Sequence, residues 1–410
     1  MAIWQKENNH DKAIKIILFV FLPFLSFFYS LKRLNTKSSF VVFYLFAILF
    51  GMGFTVPISP TAEIGIDGIF YRSSFNEAKS VSELEFIDGL NSFLTFDDGK
   101  KDYYFETISY YLTRFTDNYH VMFMVFAMVF AFFGLKSFKF FIEETGPKVT
   151  LGVFILAYMF MFNQIFNING VRFWTAAWIG VYSIFQIFKN GKKQYWLLVL
   201  VTPYFHGSFW IFIGVLLLAE FTRRFEKTWV ILFVFSFVFS NIAIELLQSY
   251  QDALPAFMSG MVNFYTDAER IKLRSEVGTG FSFIPYAFNV LMRLYQALLI
   301  FLLVKNSKQI RSNNKTNSLY LFMLVWASVF NFFAFVPSLG IRFNTFIWPL
   351  IAYIWLVNFK EVKYKKVLYA MPIVFAWNFF TMLGYYNMVL SLDFYISSPI
   401  VLIYNYLIVG

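Results

Sequence analysis

An all-α, polytopic integral membrane protein is the fold class this sequence predicts, and three observations carry that reading. The 410 residues are 59% hydrophobic and only 14% charged, too apolar to give a soluble domain its polar surface. The apolar residues come in repeated runs of about 18 to 25, the length a helix needs to cross a bilayer. Short alternating segments of the kind a membrane β-barrel requires do not occur. The expectation is about 11 transmembrane helices plus a re-entrant or short hairpin near 195–220, in one domain covering 1–410.

The first run, 14–31, follows a short polar head with no small-residue cleavage site, so it reads as a span and not as a removed signal. Further spans are expected near 39–57, 119–140, 149–167, 171–188, 229–247, 284–304, 319–336, 342–358 and 367–386. Six connections are basic: "KRLNTK" (32–37), 136–148, "KNGKK" (189–193), "TRRFEK" (222–227), "KNSKQIRSNNK" (305–315) and "KEVKYKK" (360–366). They hold 20 of the 34 Lys and Arg and only four acids, so the positive-inside rule makes them cytoplasmic. Segment 58–118, with 11 acids against five bases, and segment 248–283, with four against three, then fall outside. Within the first, 76–118 is expected as helices lying on the outer membrane face. Within the second, "TDAERIKLRSEV" (266–277) reads as an amphipathic outer helix whose Arg270 and Arg274 form a solvated face.

Alternation fails only at 195–220, an apolar stretch between two basic connections. Two short arms would keep both connections on one side. Pro203 and Gly207 sit mid-segment, where a helix breaks, and each arm has the 10–14 residues of a re-entrant piece. Non-helical backbone at that depth must line a cavity or be buried in protein. His206, in "VTPYFHGSFW", then lies at a hairpin tip facing outward; the alternative is a single kinked span with His206 bonded to a neighbouring helix.

Three arginines fall in the outer parts of spans, where charge is costly and points to function. Arg172 in "NINGVRFW" and Arg342 in "PSLGIRFN" each begin a span after a Gly-containing turn, and Arg293 in "NVLMRLYQ" lies about ten residues into its helix. Helix N-termini and guanidinium forks together suit a phosphate group. Snorkelling is the competing explanation, easy for Arg172 and Arg342 and hard for Arg293. In "AEIGIDGIFYRSSF", Asp67 offers a carboxylate near the membrane exit, although an Asx-turn is the simpler reading there. "FDDGKKD" (96–102) reads as a plain surface turn. The chain has no cysteine, which excludes disulfides and thiolate chemistry. It has no P-loop, dinucleotide fingerprint or metal-ligand spacing, so no metal and no cofactor is expected.

With "IGIDGIFY", "NGVRFWTAAWIG", "PYFHGSFWIF" and "GIRFNTF" in that order, the sequence resembles the EpsG/Wzy-type bacterial polysaccharide (O-antigen, capsule, exopolysaccharide) polymerases over most of 40–360. Relatives often carry an arginine a few residues before the Gly-x-Asp stretch; here 57–63 reads "PISPTAE", so that role is either missing or taken by Arg72. The resemblance implies a glycosyltransferase of the bacterial plasma (inner) membrane, with its active site facing the periplasm or outside. It would move a growing glycan from a polyprenyl-pyrophosphate (undecaprenyl pyrophosphate) carrier to an incoming lipid-linked repeat unit, without metal or nucleotide. In that reaction Arg172, Arg342 and Arg293 would bind the pyrophosphate. His206 would be the base, Asp67 the second catalytic candidate, and Tyr71, Arg72 and Ser208 sugar or acceptor contacts. The implied partners are polyprenyl-pyrophosphate-linked oligosaccharides and the lipid bilayer, with room for a chain-length regulator and none for nucleic acid. An O-antigen-ligase-like transferase would need the same pyrophosphate site. A lipid-linked oligosaccharide flippase would spread polar residues along a full path, whereas here they cluster on the outer side; three outer-half arginines and His206 weigh against a purely structural protein.

Overall fold

The computed structural model describes residues 4–57, 67–97, 100–146, 148–239, 245, 249–250, 283–334, 339–360 and 362–409. Every regular element among them is helical. The first predicted span is two helices, α1 (Asn9–Phe21) and α2 (Pro23–Leu31), divided where Pro23 cannot donate a backbone hydrogen bond. Lys15 is buried in α1 and is satisfied by Glu7 at 2.5 Å, Ser39 Oγ at 2.7 Å and Thr36 Oγ1 at 2.8 Å, which ties the polar head to the start of α3 (Lys37–Gly53). Thr36 caps α3, its side chain accepting from the Ser39 N–H. Helix α3 lies close against α7 (Tyr119–Ile142): a Cβ on Gly51 would come within 2.5 Å of both Ala127 Cβ and the Phe123 carbonyl oxygen. Small residues allow such approach where neither lipid nor water drives helices together.

Between α3 and α7 lie α4 (Asp67–Glu77), α5 (Glu83–Thr95) and α6 (Tyr104–Leu112). Ser82 and Glu85 form a capping box that starts α5. Helix α6 departs from the expectation of helices lying flat on the membrane face. Its Tyr104 ring lies 5.8 Å from Phe126 and Ser109 Oγ lies 3.9 Å from Met122 Sδ, so α6 runs down alongside the first two turns of α7. Tyr104 and Phe105 are buried there, which is where their apolar area is most stabilised.

Helices α8 (Leu151–Phe160) and α9 (Val171–Ile184) cover two predicted spans. The chain reverses between them: Asn163 Nδ2 donates to the Trp174 carbonyl at 3.0 Å, and the Phe160 and Phe185 rings lie 5.6 Å apart. Helices α10 (Trp196–Phe205) and α11 (Phe209–Thr222) form the hairpin. Helix α9 measures its course. Tyr195, at the start of α10, packs on Tyr182, and His206 at the tip packs on Phe173. On the way back, a Cβ on Gly180 would lie 2.9 Å from Phe212, and Arg223 stacks over Phe188 at 4.9 Å. The segment therefore leaves and returns at the same end of α9, and the kinked single span is excluded.

The rest of the bundle is α12 (Glu226–Phe235), α13 (Phe283–Lys305), α14 (Asn317–Phe332), α15 (Gly340–Asn344), α16 (Ile347–Phe359) and α17 (Ala376–Val389), with shorter helices between and after them. Residues 58–66, the end of the span 229–247 and the predicted helix 266–277 with Arg270 and Arg274 lie outside the described residues. By length and composition, four helical stretches among the described residues are long and apolar enough to cross a membrane: Tyr119–Ile142, Leu151–Lys189 (within which the chain reverses), Phe283–Lys305 and Gly340–Phe359. A fifth arises if Lys365–Val374 and Ala376–Val389, bent by 42°, count as one span. The expected number of about 11 is not reached by this measure, because several predicted spans are shorter apolar helices such as Lys37–Gly53 and Asn317–Phe332.

All six basic connections meet at one end of the bundle. Asn35 bonds the Gly146 carbonyl at 2.9 Å, Glu143 pairs with Lys189 at 3.3 Å, and Glu144 pairs with Lys315 at 2.8 Å. Glu226 pairs with Arg311 at 2.7 Å, and Lys363 bonds Asn306 at 2.6 Å. The hairpin tip lies at the opposite end of α9 from this cluster.

Candidate functional site at the hairpin tip

The tip is built by three consecutive residues. His206 leaves the helical conformation at the end of α10, with φ −158 and ψ 123. Gly207 follows at a backbone crossing: a Cβ there would lie 2.6 Å from the Lys101 carbonyl oxygen. Ser208 then fixes the imidazole, its Oγ 2.8 Å and its backbone N–H 3.2 Å from His206 Nδ1. A backbone N–H only donates, so Nδ1 accepts, and the proton of the neutral ring resides on Nε2.

Phe173 gathers the charged groups around this tip. Its ring meets His206 edge-on at 5.4 Å, and the Arg342 guanidinium lies over it at 5.4 Å. Arg342 is half-buried in the last turn of α15 and, among the described residues, has no carboxylate partner. Arg172, the residue before Phe173, lies in the first turn of α9 after the tight helical turn Ile165–Gly170. Its Nη1 pairs with Asp102 Oδ1 at 2.9 Å, and its Nε faces the Tyr71 hydroxyl oxygen at 3.4 Å. Arg172 keeps 33% of its side chain open while Asp102 keeps 6%. Arg172, Arg342 and Lys101 are the cations whose field reaches His206.

Asp67 begins α4 as a helical residue and does not sit in a free turn; its carboxylate is exposed and faces Gly170, and the next N–H, of Gly68, bonds Asn169 Oδ1 at 2.8 Å. Asp67, Arg172 and Asp102 all act on Tyr71, which is buried. The structure thus brings His206, Ser208, Arg172, Arg342, Tyr71 and Asp67 to one region. The other two predicted residues have partners of their own. Arg72 bonds the Val56 carbonyl and stacks over Tyr119 at 4.0 Å. Arg293 bonds Asn331 Oδ1 at 3.0 Å and stacks over Phe237 at 5.1 Å. Asn331 is itself held by Ser236 at 2.7 Å.

Two acids went unread in the sequence. Asp102, in the stretch expected to be a surface turn, is buried, and its Oδ2 accepts from the Gly207 N–H at 3.4 Å. Burial raises its carboxyl above the usual range, and the Arg172 guanidinium and Gly207 N–H oppose that rise. Glu106, one turn further on in α6, has a buried Oε2 without a hydrogen-bond partner among the described residues, and burial raises it as well. The only sequence signal was an acid directly before the aromatic run "YYF", which nothing local marks as buried. Among the described residues no three His, Asp or Glu side chains come together as a metal-binding group.

No curated protein and no solved structure matches this chain. The EpsG family model matches residues 44–397, which takes in Asp67, Tyr71, Asp102, Arg172, His206 and Arg342. The match covers most of the chain, and the protein belongs to the EpsG family.

Proposed function

We propose that this membrane protein is a polysaccharide polymerase that transfers a growing glycan from a polyprenyl-pyrophosphate carrier to an incoming lipid-linked repeat unit at the outer face of the plasma membrane. Family membership supports a polymerase-like role in general. The observation that carries the finer reading is the pair Arg172 and Arg342, on separate helices, whose charges both reach His206 while Arg342 also lies over the Phe173 ring that His206 packs on.

In this reaction the acceptor oxygen forms a bond to the anomeric carbon, the bond from that carbon to the pyrophosphate oxygen breaks, and the acceptor hydroxyl gives up its proton. Charge develops on the departing pyrophosphate. Arg342, without a carboxylate partner among the described residues, supplies the stronger attraction, and Arg172 offers the donors not used by Asp102 and Tyr71. His206 is better placed to donate its Nε2–H to the leaving group than to act as base, because Ser208 occupies Nδ1. The exposed carboxylate of Asp67 then takes the acceptor proton.

The test is polymer formation from lipid-linked repeat units by the purified protein. Arg172→Lys and Arg342→Lys keep the charge and lose the planar fork, and each is expected to lower turnover by about 100-fold, the scale of losing one transition-state donor. Wild-type chain length and yield from both variants would sink the assignment. Addition of a single finished glycan to a non-repeat acceptor would replace the polymerase by the ligase reading.

A further inference from the structure

We propose that Asp102 is a positioning residue that tunes the donor site, holding Arg172 in line and weakening its grip on pyrophosphate so that the lipid carrier can leave. The inference rests on the donor-site reading above. Asp102 reaches two partners at once: Oδ1 lies 2.9 Å from Arg172 Nη1, and Oδ2 accepts the N–H of Gly207, the residue after His206. The backbone on both sides of it follows the hairpin tip. The Lys101 carbonyl lies against Gly207, and the Tyr103 N–H donates to the Tyr204 carbonyl at 3.0 Å. One buried carboxylate thus joins the outer segment, the proposed phosphate ligand and the histidine turn.

Its charge has a consequence for binding. An arginine facing a dianion without a counter-charge holds the product as strongly as the substrate, and uniform binding does not raise turnover. A carboxylate in contact with the guanidinium opposes the incoming pyrophosphate through space. Arg342, which has no such partner among the described residues, is left to supply the net attraction. Positioning and charge therefore act in opposite directions when Asp102 is removed. Affinity for the anion rises, because an opposing charge is gone. Turnover falls, because Arg172 and the His206 turn lose their shared anchor and the product leaves slowly.

The experiment uses the full-length purified protein with inorganic pyrophosphate as a binding probe, read by thermal stabilisation, alongside polymer formation from lipid-linked repeat units. Asp102→Asn is expected to bind pyrophosphate about tenfold more tightly or better, as removal of one nearby charge predicts, while KM and kcat for the donor both fall. Asp102→Glu keeps the charge and shifts its place; it should return pyrophosphate affinity to that of the unmodified protein while turnover stays low, and if the Asn variant does not fold, Asp102→Ser removes the charge in its stead. Unchanged or weaker pyrophosphate binding in a folded Asp102→Asn protein overturns the proposal, since a purely structural carboxylate gives one or the other. If the unmodified protein fails to bind pyrophosphate at all, the donor-site reading falls and this inference with it; normal binding there, with no gain in Asp102→Asn, overturns the inference alone.

Discussion

Ser208 contributes to the site through His206, because its Oγ and its backbone N–H both face Nδ1. Ser208→Ala removes only the first contact, and the backbone N–H still sets the tautomer. A neutral hydrogen bond contributes about 0.5–1.5 kcal/mol net, so turnover should fall roughly 2- to 10-fold in a polymer-yield assay. A loss beyond about 100-fold would mean that Ser208 touches the substrate itself. Glu106 behaves differently. Its folded pKa is raised by burial, so the ionised form disfavours folding: stability is fully present below the unfolded value of about 4.3 and is lost as pH rises through the folded value. Glu106→Gln removes that loss. In detergent the variant should melt ~1 to 3 °C higher at pH 7 and indistinguishably near pH 4, with polymer yield retained. Lost activity with unchanged melting would instead assign Glu106 to the chemistry. The contrast between these residues also marks what a sequence holds at this scale. Arg172, Arg342 and His206 stand out because charge inside an apolar run is costly wherever it occurs. Asp102 does not, because its partner Arg172 is 70 residues away and nothing within "FDDGKKD" records that pairing.

At the scale of elements, the hairpin was legible because its evidence was local and consistent: Pro203, Gly207, two arms of helical length and a basic connection on each side. The descent of α6 was not, since burial of Tyr104 and Phe105 depends on the facing surface of α7. The number of spans was also less legible than their positions. Apolar runs fix where helices lie, but breaks such as the one before Pro23 come from single residues and divide a run into shorter helices. The hairpin's seat on the outer segment yields a sharp comparison between two of its glycines. Any Cβ on Gly207 meets backbone, the Lys101 carbonyl at 2.6 Å, and backbone cannot rotate away. Gly214, on α11, has nothing within 4 Å of such an atom. Gly207→Ala should therefore cost about 1–3 kcal/mol, the usual scale of overpacking, and should depress polymer yield by displacing His206. Gly214→Ala should leave yield unchanged and be neutral or slightly stabilising, because alanine is the better helix former. Equal behaviour of the two variants in melting and yield would refute the close crossing of tip and outer segment.

For the molecule as a whole, polarity is written twice, in charge and in contact. The six basic connections are joined to one another by hydrogen bonds and ion pairs at one end, from Asn35 and Gly146 through Glu144 and Lys315 to Lys363 and Asn306. Each surface pair of this kind contributes little to stability, about 0–1 kcal/mol. What they record is that the connections share a side. The positive-inside rule predicts that side to be cytoplasmic, with Asp97 and the His206 tip on the other. Because the chain contains no cysteine, single cysteines report sidedness without background. Position 207 is unsuitable, since any side chain there displaces the tip. Asp97, exposed at the end of α5, and Ser80, exposed before α5, are better probes of the outer side. Lys192 and Lys308, exposed in two basic connections, probe the other. In intact spheroplasts a membrane-impermeant maleimide should label Asp97→Cys and Ser80→Cys at once, and should reach Lys192→Cys and Lys308→Cys only after permeabilisation. Labelling of Lys192→Cys and Asp97→Cys from the same side would break the opposition between basic end and tip. The reverse pattern, with Lys192→Cys and Lys308→Cys labelled first, would keep the architecture and turn the arginine site to the cytoplasm, where a lipid-linked donor displayed on the outer leaflet could not reach it.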